Sequence, residues 1–225
     1  MDSVLHPGGR FGPPALLITA AAVPLTGWAV HVLALHKKLT ATQRDPLTGL
    51  LRRDAYTARA RRVLARHGDD TAVLMVDADR FKQVNDHFGH AAGDTVLAAF
   101  GARLHAWAGP RAAIGRLGGD EFAVVLQLPA DRRTGRLEQL VRMLRVPVVL
   151  DDGHTVDVAA SVGAATPDVI RSRDLSLLQR AADAALYDGK HSGRPHIATT
   201  AHATMASVNG RRYGRPGTAV WGRAA

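Results

Sequence analysis

Two adjacent glycines, Gly118 and Gly119, separate two short apolar segments in the middle of this chain. Glycine adopts positive φ without steric cost, and a tight turn between antiparallel strands requires that freedom. The sequence therefore predicts a β-hairpin built from residues 112–117 and 122–128. A β-sheet is expected at the centre of the fold.

The remaining patterns predict helices around that sheet. Residues 71–76 are short, apolar and rich in β-branched side chains, which is typical of a buried strand. A second hairpin is expected to join residues 146–150 to residues 155–164. Helices are predicted for residues 52–67, 81–88, 91–107, 131–144 and 174–188. This alternation favours an α/β protein of the α+β type, with helices flanking a mixed, largely antiparallel central sheet.

The composition excludes several classes of protein. With 225 residues, the chain has room for one ordinary domain and appendages, or for two small domains. Its 46% hydrophobic and 22% charged residues match a globular protein and exclude a wholly disordered one. It contains no cysteine, which excludes disulfide bonds, thiolate nucleophiles and cysteine-ligated metal sites, and fits a reducing compartment.

Residues 15–35 form an uncharged stretch of 21 residues near the N-terminus. A helix of about 20 mostly apolar residues spans a bilayer, so this stretch predicts one transmembrane helix. His36, Lys37 and Lys38 follow it directly, so the positive-inside rule predicts a single-pass protein of the cell membrane with the residues after the helix in the cytoplasm. Three other interpretations stay open: a buried soluble helix, a misassigned start, and a signal peptide, disfavoured because the basic residues follow the apolar stretch.

Positive charge is concentrated at the two ends of the chain. Of a formal net charge of +9, residues 1–40 carry +2 and residues 196–225 carry +4, which leaves +3 between them. Residues 199–225 lack apolar periodicity and are predicted to form a disordered basic tail. The arginines of this tail could contact anionic lipid or RNA, but a solvated tail is favoured, and no specific nucleic-acid partner is expected.

Acidic residues follow both the predicted buried strand and the glycine turn. Asp77 and Asp79 stand where residues 71–76 end, and Asp120 and Glu121 come directly after the turn. A charge at the end of a buried strand is costly unless a cation or hydrogen-bond donors meet it. If the two strands are neighbours, the acids can share two metal ions that serve phosphoryl transfer. Taken singly, the first pair is explained as well by a helix N-cap and the second by a solvated hairpin.

The sequence Gly-Gly-Asp-Glu-Phe at residues 118–122 resembles the signature of the GGDEF family, the diguanylate cyclases. Further segments resemble that family in the same order along the chain. These segments are Asp45-Pro46-Leu47-Thr48-Gly49-Leu50, residues 77–86, Phe88-Gly89-His90, Gly93-Asp94, Ser161-Val162-Gly163, Ala185-Leu186-Tyr187, Lys190 and Gly193-Arg194. The resemblance implies a palm-like, nucleotide-cyclase-like GGDEF fold. It covers a GGDEF catalytic domain (45–198), and the apolar and charge patterns divide the rest of the chain into an arm (1–14), a transmembrane helix (15–35), a linker helix (36–44) and the tail (199–225).

The resemblance implies a reaction in which two GTP molecules form cyclic di-GMP and release two pyrophosphates. It assigns two Mg²⁺ ions to each active site, with Mn²⁺ as a substitute, held by Asp77, the backbone carbonyl of Ala78, Asp120 and Glu121. Asp120 and Glu121 are the implied catalytic residues, and deprotonation of the attacking hydroxyl by Asp120 competes with deprotonation by metal coordination alone.

The substrate contacts follow from the same resemblance. Asn85 and Asp94 would bind guanine, because a carboxylate can accept hydrogen bonds from both N1–H and N2–H of that base. Lys82, Lys190 and Arg194 would contact the triphosphate. Arg116, two residues before the glycines, is left open between a structural and a phosphate-binding role.

One domain binds one GTP, so the implied enzyme is a homodimer. The Arg-x-x-Asp product-inhibition site of many family members would fall at residues 109–112, which read Gly-Pro-Arg-Ala, so high-affinity inhibition by product is not expected. The alternative function is a catalytically silent module that binds GTP or a cyclic dinucleotide. The intact acids at 77, 120 and 121 favour the enzyme.

Overall fold

The computed structural model describes residues 43–190 and 192–205. The helices are α1 (Arg53–His67), α2 (Phe81–Phe88), α3 (His90–Ala108), α4 (Ala130–Leu144), α5 (Pro167–Ile170), α6 (Leu175–Asp188) and α7 (Thr200–Thr204). The strands are β1 (Thr71–Ala78), β2 (Ala113–Arg116), β3 (Glu121–Gln127), β4 (Val148–Val149), β5 (Thr155–Val156), β6 (Ala160–Ala165) and β7 (His196–Ile197).

The central sheet has the strand order β2-β3-β1-β6-β7. β1 pairs antiparallel with both β3 and β6, and β2 pairs antiparallel with β3, whereas β7 runs parallel to β6. The predicted mixed, largely antiparallel sheet is therefore confirmed. β1 lies at its centre because its first six residues are all buried, as a strand covered on both faces requires.

Helices cover both faces of this sheet. Leu74 and Val76 of β1 point to one face, where they share a core with residues of α3 and α4 such as Phe100. Val73 and Met75 point to the opposite face, which α1 and α6 cover. The alternation of side chains along one strand thus builds two cores and fixes the direction of every residue that follows, including the acids at its end.

The predicted strand 155–164 divides into two. Residues 155–156 form β5, which pairs only with β4 in a small separate hairpin, and residues 160–165 form β6 of the central sheet. The sequence between them, Asp157-Val158-Ala159, contains no glycine or proline, so the pattern gave no signal of a break. The chain leaves the hairpin here and returns to β1, where the Asp79 N–H donates to the Ala159 carbonyl at 2.9 Å.

The beginning of the predicted tail also differs from expectation. Residues 200–204 form α7, which starts with a capping box between Thr199 and His202. This cap satisfies backbone N–H groups that the first turn of a helix leaves unpaired. Residues 206–225 lie outside the described residues, so the rest of the tail remains a prediction.

The predicted arm, transmembrane helix and most of the linker lie outside the described residues as well. Within residues 43–190 and 192–205, no helix combines the length and the apolar character needed to cross a bilayer. The membrane span at 15–35 and the membrane location therefore stay predictions.

Candidate functional site

The ends of three strands bring the predicted acids together at one edge of the sheet. The antiparallel register places Asp77 of β1 opposite Glu121 of β3 and opposite Ser161 of β6. Residues directly opposite each other in antiparallel strands project to the same face. The Ala78 N–H donates to the Asp120 carbonyl at 3.2 Å, which ties the glycine turn to the end of β1. Acids separated by more than forty positions in the sequence thus lie at neighbouring strand ends.

Asp77 is the electrostatic centre of this edge. Its side chain is only 14% exposed, and Lys190 Nζ donates to its Oδ1 at 3.0 Å. Burial raises the pKa of Asp77 above its usual value, Lys190 lowers it in part, and the negative charges of Asp120 and Asp79 raise it further. Asp79 accepts a hydrogen bond of 2.7 Å from Ser161 Oγ. Asp77, Asp79 and Asp120 are thus close enough to influence one another at this edge, and Lys190 supplies a positive charge among them.

Arg116 holds the glycine turn in place. Its Nε and Nη2 donate to the Gly119 carbonyl at 3.0 and 2.8 Å, and its Nη1 lies 3.2 Å from a carboxylate oxygen of Asp45. That oxygen also accepts hydrogen bonds from the backbone N–H and the hydroxyl of Thr48. Although burial raises the pKa of Asp45, the hydrogen bonds from Thr48 and the charge of Arg116 outweigh it, and the pKa is lowered.

Arg116, whose role the sequence leaves open, makes structural contacts here with Asp45 and the Gly119 carbonyl. Its side chain and that of Asp45 are each 17% exposed, so the pair is largely shielded from water. The resemblance identified the segment around Asp45 but did not predict its ion pair with Arg116, because nothing in a sequence separation of 71 residues indicates contact.

The guanine-binding candidates Asn85 and Asp94 lie on two helices in contact. A Cβ added at Gly93 of α3 would stand 1.9 Å from Asn85 Oδ1 of α2, so only glycine allows this approach. Asp94 is the next residue and is exposed. Because α3 begins at His90 with Gly89 as its N-cap residue, Asp94 lies inside the helix and is not its cap. The contact thus brings the helix that carries Asn85 against the helix that carries Asp94, one residue along from the point of contact.

A groove of about 700 Å³ lies on another side of α2. Gln83, Val84 and His87 line it, together with Asp79 and residues 155–159. Asn85 and Asp94 are not among its lining residues. The predicted base-binding surface and this groove are therefore separate features of α2.

The three predicted phosphate-binding cations are in different situations. Lys190 contacts the acids, as described above. Lys82 is 85% exposed and pairs with Asp86 one helical turn away. Arg194 is exposed, and its backbone N–H donates to Ser192 Oγ at 3.2 Å. Within the described residues, neither Lys82 nor Arg194 forms an ion pair with Asp77, Asp120 or Glu121.

The side chains at the sheet edge are of the chemical type that a hard divalent cation takes as ligands. Asp77, Asp120 and Glu121 supply carboxylate oxygens, the ligand type that Mg²⁺ prefers, and Mg²⁺ usually takes only one or two carboxylates together with substrate phosphates. Among residues 43–190 and 192–205, no three His, Asp or Glu side chains already converge as a complete metal cage. A set of protein ligands that substrate phosphates complete is consistent both with these carboxylates and with the lack of a complete cage.

Comparison with known proteins identifies the family of the chain. Residues 42–196 match the family described as "Diguanylate cyclase, GGDEF domain". The chain is 42% identical over 175 residues to an uncharacterized 19.3 kDa protein of Streptomyces ambofaciens, covering 78% of this chain and 93% of that protein. It is 37% identical over 155 residues to the diguanylate cyclase TpbB of Pseudomonas aeruginosa, covering 67% of this chain but only 35% of TpbB.

A solved structure shows the same fold. The coiled coil and GGDEF domain of DgcB from Caulobacter crescentus, in complex with c-di-GMP, superposes with a TM-score of 0.66 at 26% identity, covering 80% of this chain and 99% of that one. The strand register, the glycine turn and these matches lead to one conclusion: the chain belongs to the GGDEF family of diguanylate cyclases.

Proposed function

We propose that this protein is an active diguanylate cyclase that condenses two GTP molecules into cyclic di-GMP and releases two pyrophosphates. The observation that carries the proposal is the register that sets Asp77 opposite Glu121, with Asp120 in the adjoining turn. A silent binding module has no need of carboxylates from both strands at one edge.

In the proposed reaction, the 3′-oxygen of each GTP attacks the α-phosphorus of the other. A new P–O bond forms, the bond between the α- and β-phosphates breaks, and pyrophosphate leaves. Asp77, the Ala78 carbonyl, Asp120 and Glu121 would hold two Mg²⁺ ions, which when bound lower the pKa of the attacking hydroxyl and offset charge on the phosphates. Asp120 accepts the hydroxyl proton, and Arg116 keeps the turn that carries Asp120 in position.

Substrate selection is assigned to α2, α3 and the segment after α6. Asn85 and Asp94 bind the guanine edge, and a carboxylate there rejects adenine because adenine lacks the N1–H and N2–H donors. Lys82, Lys190 and Arg194 bind the phosphates, where each cation offsets negative charge. Support for this assignment is the contact between α2 and α3 at Gly93 and the nearness of Lys190 to Asp77.

The complete reaction requires two protomers, because each binds one GTP and each supplies one attacking hydroxyl. We extend the proposal to a homodimer held at the cell membrane by residues 15–35, with the GGDEF domain on the cytoplasmic side. The support is the uncharged stretch of 21 residues followed by Lys37 and Lys38.

The test is incubation of the purified full chain, in detergent, with GTP and Mg²⁺, followed by mass spectrometry for cyclic di-GMP. We expect product from the natural protein and a loss of roughly 100-fold or more in Asp120→Asn, because the metal set loses a charged ligand. Asp131→Asn is the matched control, since Asp131 is an exposed acid of α4. A folded dimer that binds GTP and yields no product would support the silent module instead.

A further inference from the structure

A cation already lies at the acidic edge of the sheet. The ammonium of Lys190 is 3.0 Å from Asp77 Oδ1, and the two side chains are only 30% and 14% exposed. Asp120 and Asp79 add negative charge around the same carboxylate. Partial burial leaves this pair less screened than one on the surface. Lys190 therefore balances charge at the very oxygen that the proposed metal site would use.

The position of Lys190 in the chain allows its side chain to leave. α6 ends at Asp188, and the Gly189 N–H closes the helix by donating to the Ala185 carbonyl at 3.1 Å. The Lys190 N–H donates to the Tyr187 carbonyl at 3.2 Å, so the backbone is fixed by the end of the helix and not by the ion pair. A long, flexible side chain on a fixed backbone can exchange one anionic partner for another without unfolding α6.

We propose that Lys190 acts as a counter-ion for Asp77. Its ammonium pairs with the Asp77 carboxylate in the nucleotide-free protein and moves to the nucleotide phosphates when the substrate binds. This inference rests on the proposed function. A divalent cation and an ammonium repel each other, so Lys190 opposes the binding of free metal at Asp77. Phosphates offer Lys190 another partner and release Asp77. Metal and nucleotide consequently favour each other's binding, and this coupling is reciprocal.

The test measures binding of Mn²⁺ to the full chain by electron paramagnetic resonance at pH 8, without nucleotide. We expect Lys190→Met to bind Mn²⁺ about tenfold more tightly than the natural protein, because removing one partly buried charge changes an affinity by about that factor. Lys190→Arg keeps the charge and should stay within about twofold of the natural protein. Arg142→Met is the matched control, because Arg142 is an exposed cation of α4 that pairs with Glu138 one helical turn away and not with Asp77.

A second titration adds saturating 3′-deoxy-GTP, which lacks the attacking hydroxyl and cannot react. In the natural protein, the analogue should tighten Mn²⁺ binding strongly. In Lys190→Met, this enhancement should fall by about tenfold, matching the gain seen without nucleotide. Circular dichroism of each variant verifies that it is folded.

The outcomes separate this inference from the proposed function. The counter-ion role is overturned if Lys190→Met and the natural protein bind Mn²⁺ equally without nucleotide. The metal site stands in that case if Asp77→Asn binds Mn²⁺ more weakly than both in the presence of 3′-deoxy-GTP. Mn²⁺ binding that Asp77→Asn does not weaken, with or without the analogue, overturns the metal site itself. An equal gain in Arg142→Met and Lys190→Met would show a general effect of charge and overturn the specific role of Lys190.

Discussion

At the scale of single residues, two contacts determine how the site is held. Arg116 joins Asp45 to the carbonyl of Gly119, so one side chain links the first described turn of the chain to the signature turn. Gly93 lets Asn85 lie directly against α3. Each contact involves a residue that the resemblance placed in a motif. The contact explains why that residue type stands there, and only the structure shows it.

The pairing of Asp45 predicts a pH dependence of stability. The pKa of Asp45 is lowered in the folded protein, so its carboxylate stabilises the fold above its unfolded pKa of 3.8, and this contribution is lost as the pH falls through the lower folded value. Asp45→Asn should therefore lower the free energy of unfolding by about 1 kcal/mol at pH 7, and by less at pH 3. Urea unfolding at both pH values measures this difference, and a deficit that is equal at pH 3 and pH 7 would contradict it.

Gly93→Ala should impair substrate binding more than stability. The new Cβ would overlap the end of the Asn85 side chain, which can rotate away, so the fold should lose less than about 1 kcal/mol while guanine loses a contact. We expect the KM for GTP to rise about tenfold, as for Asn85→Ala, because both changes remove the same hydrogen bonds.

The double variant Gly93→Ala, Asn85→Ala should be no worse than Asn85→Ala alone, since the two effects share one side chain. Steady-state kinetics and urea unfolding of the three variants provide the comparison. Additive increases in KM would show that Gly93 acts through something other than Asn85.

At the scale of elements, β6 and α6 are packed more closely than any side chain at position 163 would allow. A Cβ at Gly163 would lie 2.0 Å from the Ala182 carbonyl and 2.4 Å from the Leu186 nitrogen, both backbone atoms that cannot rotate away. This contact sets α6 on the sheet and so determines where Lys190 emerges beside Asp77.

Gly163→Ala should lower the free energy of unfolding by roughly 3 kcal/mol, as overpacking of a rigid core does. Gly135→Ala is the matched control: Gly135 lies inside α4 with open space around it, so alanine should stabilise the protein by about 0.5–1 kcal/mol. Urea unfolding of both variants tests the pair. A neutral Gly163→Ala would mean that α6 is free to move away from β6.

Elements with a strong local signal were predictable from the sequence, and those set by distant contacts were not. The hairpin at Gly118-Gly119, the buried strand β1 and the helices α1–α4 and α6 agree with the prediction to within one residue or a few. The break between β5 and β6 depends on which strand each half pairs with, which the alternation of side chains does not encode. The short helix α7 begins with a capping box in which Thr199 is the N-cap residue and His202 stands at N3, where Glu or Gln is usual, so the motif was not evident in the sequence.

At the scale of the whole molecule, the site is built from parts that are distant in sequence. The approach of Asp77 to Glu121 was predictable once the family was identified, whereas the ion pair between Asp77 and Lys190 was not, because Lys190 was assigned to phosphate. The proposed dimer adds a further requirement: the initial rate per chain should rise with protein concentration until dimerisation saturates. A rate per chain that is constant over a dilution series crossing from dimer to monomer would contradict a reaction shared by two protomers.

The most direct test of the account is a crystal structure of the protein with Mn²⁺ and 3′-deoxy-GTP, in which anomalous scattering locates the metal. We predict Mn²⁺ at the edge of the sheet, within about 2.2 Å of carboxylate oxygens of Asp77 and of Asp120 or Glu121, with phosphate oxygens completing its ligands. Lys190 should then contact the phosphates. Metal and nucleotide bound elsewhere, with Asp77 still paired to Lys190, would contradict the central claim.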